Sequence, residues 1–472
     1  MLMTKIIATI GPASDSIETI KEIILSGANA LRLNFSHGDH EWHKKTAKLI
    51  RDASESLNRP ISLIADTKGP EIRIGKFIDN KVFIKENDYF VLTNEEILGD
   101  KNKVSISYKD LAKDINIDSR IFIDDGLLEL KVSKIIEKDI VCIAMNSAEL
   151  GNNKGVNVPD VYINMPVMTD KDKDDIKFAI ENNFDFIAIS FVRSEKDVSE
   201  TRNYLKENDA EDIKLISKIE NQYAVNNIIE IVENSDAIMI ARGDLGIETS
   251  PEEVPLVQKS IIEIANKSGK PTIVATQMLE SMSLKPRPTR AETSDVANAI
   301  FDGADAVMLS GETASGLYPV KSVSMMARII QKIESSVNYR SKIHEFYKNF
   351  NNNITNSISY AACFIASDIN ISSIVAVTKS GATSQLISKF RPKCPILAIT
   401  PNKIIYRQLS LVWGCFPIYC ERINIDDLNF NIAIYKALET NIVKHGDIII
   451  IIAGLPLGVA GTSNTLKVHV VS

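Results

Sequence analysis

The sequence predicts an α/β protein: a closed (β/α)8 TIM barrel, a small β-barrel lid domain inserted into it, and an open α/β domain after it. Three observations predict this. Short apolar runs alternate eight times with amphipathic helical patterns in the first 340 residues. Such alternation makes a parallel sheet covered by helices, and eight repeats suffice to close it. The rhythm breaks once, over a stretch with β-like patterns and no helical period. After an asparagine-rich segment it resumes as a second strand–helix series.

The eight runs are KIIATIG, ALRLNFSHG, SLIADTKG, FIAISFVR, KLISKIEN, AIMIARGDLG, TIVATQM and AVMLSGET. Between them lie amphipathic patterns such as SIETIKEIILSGA and EEVPLVQKSIIEIANKSG. The break contains KVFIKENDYFVLT, KVSISY, SRIFIDDGLLELKVSKII and DIVCIAMN. We assign residues 1–69 and 169–340 to the barrel, 70–168 to the inserted lid, and 341–472 to the C-terminal α/β domain. Thr169 is the expected N-cap where the barrel resumes. The last domain carries the strands SSIVAVT, PILAIT, GCFPIYC, DIIIIIAG and TLKVHVV. The isoleucine run among them is too short to span a membrane and reads as a buried parallel strand.

Composition narrows the function classes. The 472 residues are 44% hydrophobic and 24% charged, with net charge −7. That balance is globular and argues against a nucleic-acid partner. The five cysteines form no CxxC pair, which fits buried, reduced thiols in a cytoplasmic protein. The N-terminal MLMTKIIATIGPAS lacks a secretory signal pattern, and no run suggests a membrane partner.

In (β/α)8 enzymes the reacting groups sit at the C-terminal ends of the strands. Strand two ends in Arg32, Asn34, Ser36 and His37; strand three in Asp66, Thr67 and Lys68; strand five in Lys218 and Glu220. Strand six ends in Arg242, Gly243 and Asp244, strand seven in Thr276 and Gln277, strand eight in Ser310, Gly311 and Glu312. Alternate residues share one face, so Lys218 and Glu220 point to the same rim. That pair is compatible with a buried ion pair, a Schiff-base lysine, or a phosphate site beside a metal. Glu220 and Asp244 are hard oxygen ligands suited to Mg2+ or Mn2+. Arg32, Arg73 and Lys218 supply positive charge for a phosphoryl group. Gly243 and Asp244 precede an expected short helix whose free N–H groups suit a carboxylate. Together these point to phosphoryl transfer involving a small phosphorylated acid.

No G-x-x-x-x-G-K-[ST] loop is present, and no GxGxxG follows the first strand. P-loop and Rossmann nucleotide sites are thereby set aside. His37, His40 and His43 are spaced by three but lack a metal signature, and read as a solvated helix start.

Several stretches resemble pyruvate kinases: TKIIATIGPAS (4–14), LRLNFSHG (31–38), DTKGPEIR (66–73), NNKGVNVP (152–159), ISKIEN (216–221), MIARGDLG (239–246) and RPTRAETSDVANAIFDGADAVMLSGETASGLYP (287–319). The last is highly specific, and the stretches fall in the family's order along the whole chain. The resemblance is to the bacterial type without an extra C-terminal phosphohistidine domain. It implies transfer of the phosphoryl group of phosphoenolpyruvate to ADP, giving pyruvate and ATP, at the end of glycolysis. It implies Lys218 at the transferring phosphoryl, Arg32 at the substrate phosphate, and Glu220 and Asp244 as Mg2+ ligands. Gly243, Asp244 and Thr276 would form the substrate pocket. Asn34, Ser36, Asp66 and Thr67 would bind K+, and Glu71 matches the potassium-dependent members. Asn34, Phe35, Ser36, His37, Arg73 and Lys154 would form the nucleotide site. Thr276, Ser310 and ordered water are candidates for protonating the enolate; a threonine is a poor acid unaided, which favours a water chain. In TKSGATSQLISKF, Thr378, Ser380, Gly381, Thr383 and Ser384 match a loop that holds a sugar-phosphate effector, with GVAGTSN (458–464) beside it. An ordinary capped helix explains that loop equally well, and a nucleotide is the other effector class considered. The family's common state implies a homotetramer. A metal-dependent or Schiff-base aldolase is the competing reading, but it leaves the inserted domain and Lys154 without a use. A fold-retaining binding protein is the non-enzymatic one.

Overall fold

The computed structural model describes residues 1–339, 353–421, 430–454 and 463–472. The eight runs form strands Lys5–Ile10, Ala30–Asn34, Ser62–Asp66, Phe186–Ile189, Lys214–Ile219, Ala237–Ala241, Thr272–Ala275 and Ala306–Leu309. They close into a barrel of parallel neighbours, the first strand pairing with the eighth. We number them one to eight. Both strand faces are buried, which is why they read as apolar runs. Outward residues such as Leu31, Leu63 and Leu215 pack under the helices. Inward residues Ile7, Ile64, Ala188, Ile216, Met239 and Ile273 fill the lumen, and Leu411 from the C-terminal segment joins them. The barrel is a packed core with a floor, and its polar groups gather above that core.

Local signals set the helix boundaries. Thr169 caps the helix Asp170–Glu181 in a full capping box with Asp172, as expected. Thr289 and Glu292 do the same for Arg290–Asp302, which ends on left-handed Gly303. Each cap contributes about 1 kcal/mol.

The inserted segment forms a seven-stranded sheet with a separate two-stranded antiparallel sheet, Lys81–Ile84 with Ala148–Gly151. The sheet's edge strands, Ile72–Arg73 and Lys103–Ser105, are joined by a bridge between Ile74 and Ile106. Ser107 N–H also donates to the Arg73 carbonyl at 2.9 Å. The sheet thus closes into the expected small β-barrel, around a core that includes Phe90, Leu92, Ile121 and Leu130.

The C-terminal sheet runs in the order Cys415–Tyr419, Ile396–Thr400, Ser373–Val377, Ile448–Gly454, Ser463–Val470. Its first four strands are parallel and the last is an antiparallel edge. The 340/341 boundary, the asparagine-rich segment before residue 353, and residues 458–462 of GVAGTSN lie outside the described residues. All five cysteines are buried, and none of them forms a disulfide.

This domain is bolted to the barrel floor by buried charges. Arg391 reaches Asp305 at 2.8 Å while its guanidinium lies over the Trp413 ring. Asp185 receives Arg51 at 2.9 Å and Arg407 at 2.7 Å. Lys5, at the foot of strand one, donates to the Cys415 carbonyl at 2.7 Å and lies over the Phe416 ring. Burial pushes its ammonium down to about 8 from 10.5. Between those pH values the unfolded chain holds a proton that the native protein has released, so native stability rises with pH there. The melting temperature of the wild type should therefore gain on that of Lys5→Met by a few degrees between pH 8 and 10.5. A constant difference across that window would refute this titration.

Candidate active site

At the C-terminal rim, charged side chains from neighbouring strands form a continuous chain. Arg32 Nε lies 2.6 Å from Asp66 Oδ2. Asp66 Oδ1 lies 3.2 Å from Lys218 Nζ, and Lys218 Nζ lies 2.8 Å from Glu220 Oε1. Arg32 also donates to Thr9 at 3.0 Å, and Lys218 to Ser190 Oγ at 2.7 Å. Arg32, Asp66 and Glu220 are at most 8% exposed. Strand geometry explains the gathering. Register aligns strands two to five, and the residues above Ile64, Ala188 and Ile216 on the inward face are Asp66, Ser190 and Lys218.

Lys218 and Glu220 therefore touch, answering whether their shared face makes them partners. Burial alone would push the Lys218 ammonium down, but the Asp66 and Glu220 carboxylates override it and hold it above its ordinary value. A lysine held protonated is a poor Schiff-base nucleophile, which removes the basis for that aldolase reading. Burial opposes ionisation of Asp66, yet Arg32 and Lys218 overcome it and hold the carboxyl low.

Asp244 behaves differently. It lies in the first turn of the short helix Arg242–Glu248 after strand six, which starts at Arg242 and so takes in Gly243 and Asp244 instead of following them as expected. It has no hydrogen-bond or ion-pair partner among the described residues. Burial first, and Glu220 second, push its carboxyl up to about 7. An uncompensated carboxylate beside a second one fits a divalent cation with oxygen ligands, whose remaining positions substrate and water complete. Among the described residues no group of three or more His, Cys, Asp or Glu forms a protein-only metal site. Asp66 Oδ1 is buried and, although near Lys218, accepts no hydrogen bond. That free lone pair, with the neutral oxygens of Asn34, Ser36 and Thr67, suits a monovalent cation such as K+. Asn34 Oδ1 already accepts the Ser36 N–H at 3.1 Å, which fixes the loop.

Thr276 adopts a left-handed φ of +66°, and its hydroxyl accepts the Gly243 N–H at 2.9 Å. Left-handed backbone is an outlier for a β-branched residue and marks a constrained site. Ser310 Oγ is buried and unpartnered. Arg242 turns away from the rim to Asp295 at 2.8 Å. Arg73 and Lys154 lie on the inserted domain, paired with Glu71 at 2.6 Å and Asp124 at 3.0 Å. His37 is exposed, but the Phe35 ring is buried against His43, Phe178 and Phe184. Any share of Phe35 in a nucleotide site is therefore through its backbone. His43 is likewise buried and stacked on Phe35 at 4.1 Å, which corrects the reading of these histidines as a solvated helix start. In the C-terminal loop, Gly381 is left-handed and its N–H donates to Thr378 Oγ1 at 2.9 Å, while Thr383 Oγ1 meets Ser463 Oγ at 2.7 Å. Ser384 is buried and Ser380 exposed.

Three neighbours of the rim were not singled out from sequence. Ser190 Oγ joins Lys218 to the Thr67 carbonyl at 2.6 Å. Phe191, at φ +55°, aims its N–H at Glu220 Oε2 at 2.7 Å. Glu248 accepts from Asn157 of the inserted domain at 2.9 Å, and burial pushes its carboxyl up to about 7.

The fold and rim define a (β/α)8 enzyme that handles an anionic substrate beside cations. The chain belongs to the pyruvate kinase family. The barrel-domain model of pyruvate kinase matches residues 1–323 and the alpha/beta-domain model matches residues 356–469. It is 46% identical over 472 residues to a pyruvate kinase of Clostridium acetobutylicum, covering all of both chains. It is 45% identical to that of Geobacillus stearothermophilus, covering 99% of this chain and 80% of the relative. A solved pyruvate kinase from Cryptosporidium parvum superposes with a TM-score of 0.96 at 37% identity, covering 100% of this chain and 96% of the other.

Ser190→Ala removes the hydroxyl that joins Lys218 to strand three and leaves both carboxylate partners of the lysine. Turnover in the family's reaction should fall by roughly tenfold through misplacement of Lys218, with folding retained by circular dichroism. Unchanged turnover would mean that the carboxylates alone position the lysine.

Proposed function

We propose that this rim transfers the phosphoryl group of phosphoenolpyruvate to ADP, giving pyruvate and ATP, the last step of glycolysis, in the cytoplasm. The observation that carries the proposal is the protonated Lys218 held between two carboxylates beside the unpaired Asp244. Arg32 and Lys218 bind the substrate phosphate, and Lys218 neutralises charge on the phosphoryl as it moves. Gly243, Asp244 and Thr276 receive the substrate carboxylate. Glu220 and Asp244 hold Mg2+ or Mn2+; Asn34, Ser36, Asp66 and Thr67 hold K+. When bound, these cations supply Lewis-acid and charge stabilisation to the phosphoryl and the leaving enolate. Asn34, Ser36, His37 and the Phe35 backbone contact the nucleotide from the barrel; Arg73 and Lys154 contact it from the lid. The unpartnered Ser310 hydroxyl and Thr276 orient the water chain that delivers a proton to the enolate carbon.

We take residues 1–69 and 169–340 as the catalytic barrel, 70–168 as the lid, and 341–472 as a regulatory domain. The loop Thr378–Ser384 is proposed to bind a sugar-phosphate or nucleotide effector, within a homotetramer.

A coupled assay of pyruvate formation from phosphoenolpyruvate and ADP should give turnover that requires Mg2+ and rises with K+. No turnover with both present would sink the proposal. Lys218→Met should cut turnover by roughly three orders of magnitude, the scale of losing one charge-stabilising group, while Mn2+ still binds. Because Asp244 must release its proton to take a metal, Mn2+ affinity should rise by about tenfold per pH unit below pH 7 and level off above it. Titration by electron paramagnetic resonance checks this; a flat profile from roughly pH 5.5 to roughly pH 8, a window that brackets that carboxyl, would contradict the role of Asp244.

A further inference from the structure

The lid is connected to the barrel by two chain segments, one leaving after Gly69 and one returning at Thr169. Both end on the same buried side chain. Gly69 N–H donates to Asp172 Oδ1 at 3.0 Å. Thr169 N–H donates to Asp172 Oδ2 at 2.9 Å, and its hydroxyl to the same oxygen at 2.6 Å. Asp172 is 1% exposed, so these bonds are made away from water. An acceptor-only carboxylate with two oxygens can serve two N–H groups from different segments at once. Charge-assisted bonds of this kind are about twice as strong as neutral ones.

The outgoing segment has little freedom beside this anchor. Gly69 has φ +72°, and a Cβ there would stand 2.7 Å from Ser190 Cβ and 2.9 Å from the Phe191 ring. Ser190 is the residue whose hydroxyl holds Lys218. The point where the lid leaves the barrel therefore packs directly on the support of the reacting lysine.

We propose that Asp172 is a positioning residue: the pin that ties both lid connections to the barrel and so sets where Arg73 and Lys154 stand over the rim. This rests on the phosphoryl-transfer reading for its kinetic consequence, but not for its geometry. The pin fixes the ends of the hinge while the lid turns about them. Its loss lets the two connections separate, so the lid residues reach the nucleotide less often.

The helix cap and the hinge pin share one carboxylate, and two variants separate them. Thr169→Ala deletes the capping hydroxyl and leaves both backbone donors on Asp172. Asp172→Asn keeps one acceptor oxygen for the cap and turns an NH2 toward the other segment's N–H. Spin labels at Asp79→Cys in the lid and Lys206→Cys in the barrel, both exposed, report the lid position by double electron–electron resonance; the native cysteines are all buried. With Mg2+, K+, phosphoenolpyruvate and ADP, the wild type and Thr169→Ala should give the same narrow distribution. Asp172→Asn should give a broad one, with KM for ADP raised on the order of tenfold or more and KM for phosphoenolpyruvate within about twofold. Thr169→Ala should leave both KM values within about twofold of the wild type.

If Asp172→Asn matches Thr169→Ala in distances and in both KM values, Asp172 is only a cap and the proposal falls. If Asp172→Asn does not fold, hydrogen exchange of the wild type decides. Peptides covering Gly69 and Thr169 should be protected together well beyond the lid's exposed turns; exchange as fast as those turns overturns the pin. If the wild type lacks turnover, the functional reading fails, and the distance and exchange measurements still decide for or against the pin.

Discussion

The run Arg32–Asp66–Lys218–Glu220 is the interaction on which the site depends. Two cations and two carboxylates lie at the top of a dry barrel, where an isolated charge would cost several kcal/mol. Each is tolerable only because the next lies within 3.2 Å. No single strand supplies that series. Strands two, three and five must be held in register, with strand four between them supplying Ser190. A closed parallel barrel does this, since its inward face alternates with a covered outer face and its floor is filled with aliphatic side chains. The floor sets the low dielectric, and the low dielectric gives the rim charges their strength.

The series does not neutralise everything. Past Glu220 comes Asp244, in the helix that follows strand six, with no partner among the described residues and its carboxyl pushed up. Arg32 and Lys218 offset Asp66 and Glu220, leaving Asp244 as the remaining negative charge. A rim so composed would repel an acidic phosphate substrate by itself. A divalent cation held by Glu220 and Asp244 would reverse the sign. The outlying φ values of Phe191 and Thr276 lie at the same place, one aiming an N–H at Glu220 and the other meeting the Gly243 N–H. Backbone strain of about 1–3 kcal/mol per residue persists only where surrounding structure over-determines it.

How much of this was legible in sequence follows from the physics of each feature. The eight strands were plain because buried parallel strands make apolar runs of a length that helices do not. That Lys218 and Glu220 share a face follows from the two-residue period of a strand. That they touch does not, because the lysine's choice among Asp66, Glu220 and Ser190 depends on neighbouring strands. Ser190 left no signal of its own, since its partners Lys218 and the Thr67 carbonyl come from other strands, and the Thr169–Asp172 spacing signals a capping box but not the bond from the Gly69 N–H. His43 was misread because spacing cannot show that the Phe35 ring turns inward and needs a flat partner. Closure of the inserted sheet rests on the bridge between Ile74 and Ile106, which is below the resolution of any periodicity argument.

The two ends of the barrel show how one residue type serves opposite purposes. Asp185, near the floor, accepts from Arg51, Arg407 and the Leu63 N–H at 2.7–2.9 Å. Its lone pairs are spent on joining two domains, and removing one partner would strand a buried charge at a cost of about 3–5 kcal/mol. Asp244, at the rim, is half-buried and is given no such partner. A carboxylate saturated by protein donors can do no further chemistry. One left short of donors stores unfavourable electrostatic energy, and that energy is released when a cation arrives. The two aspartates are kept apart by height: Asp185 lies at the base, where the C-terminal domain docks, and Asp244 lies at the rim beside the inserted domain.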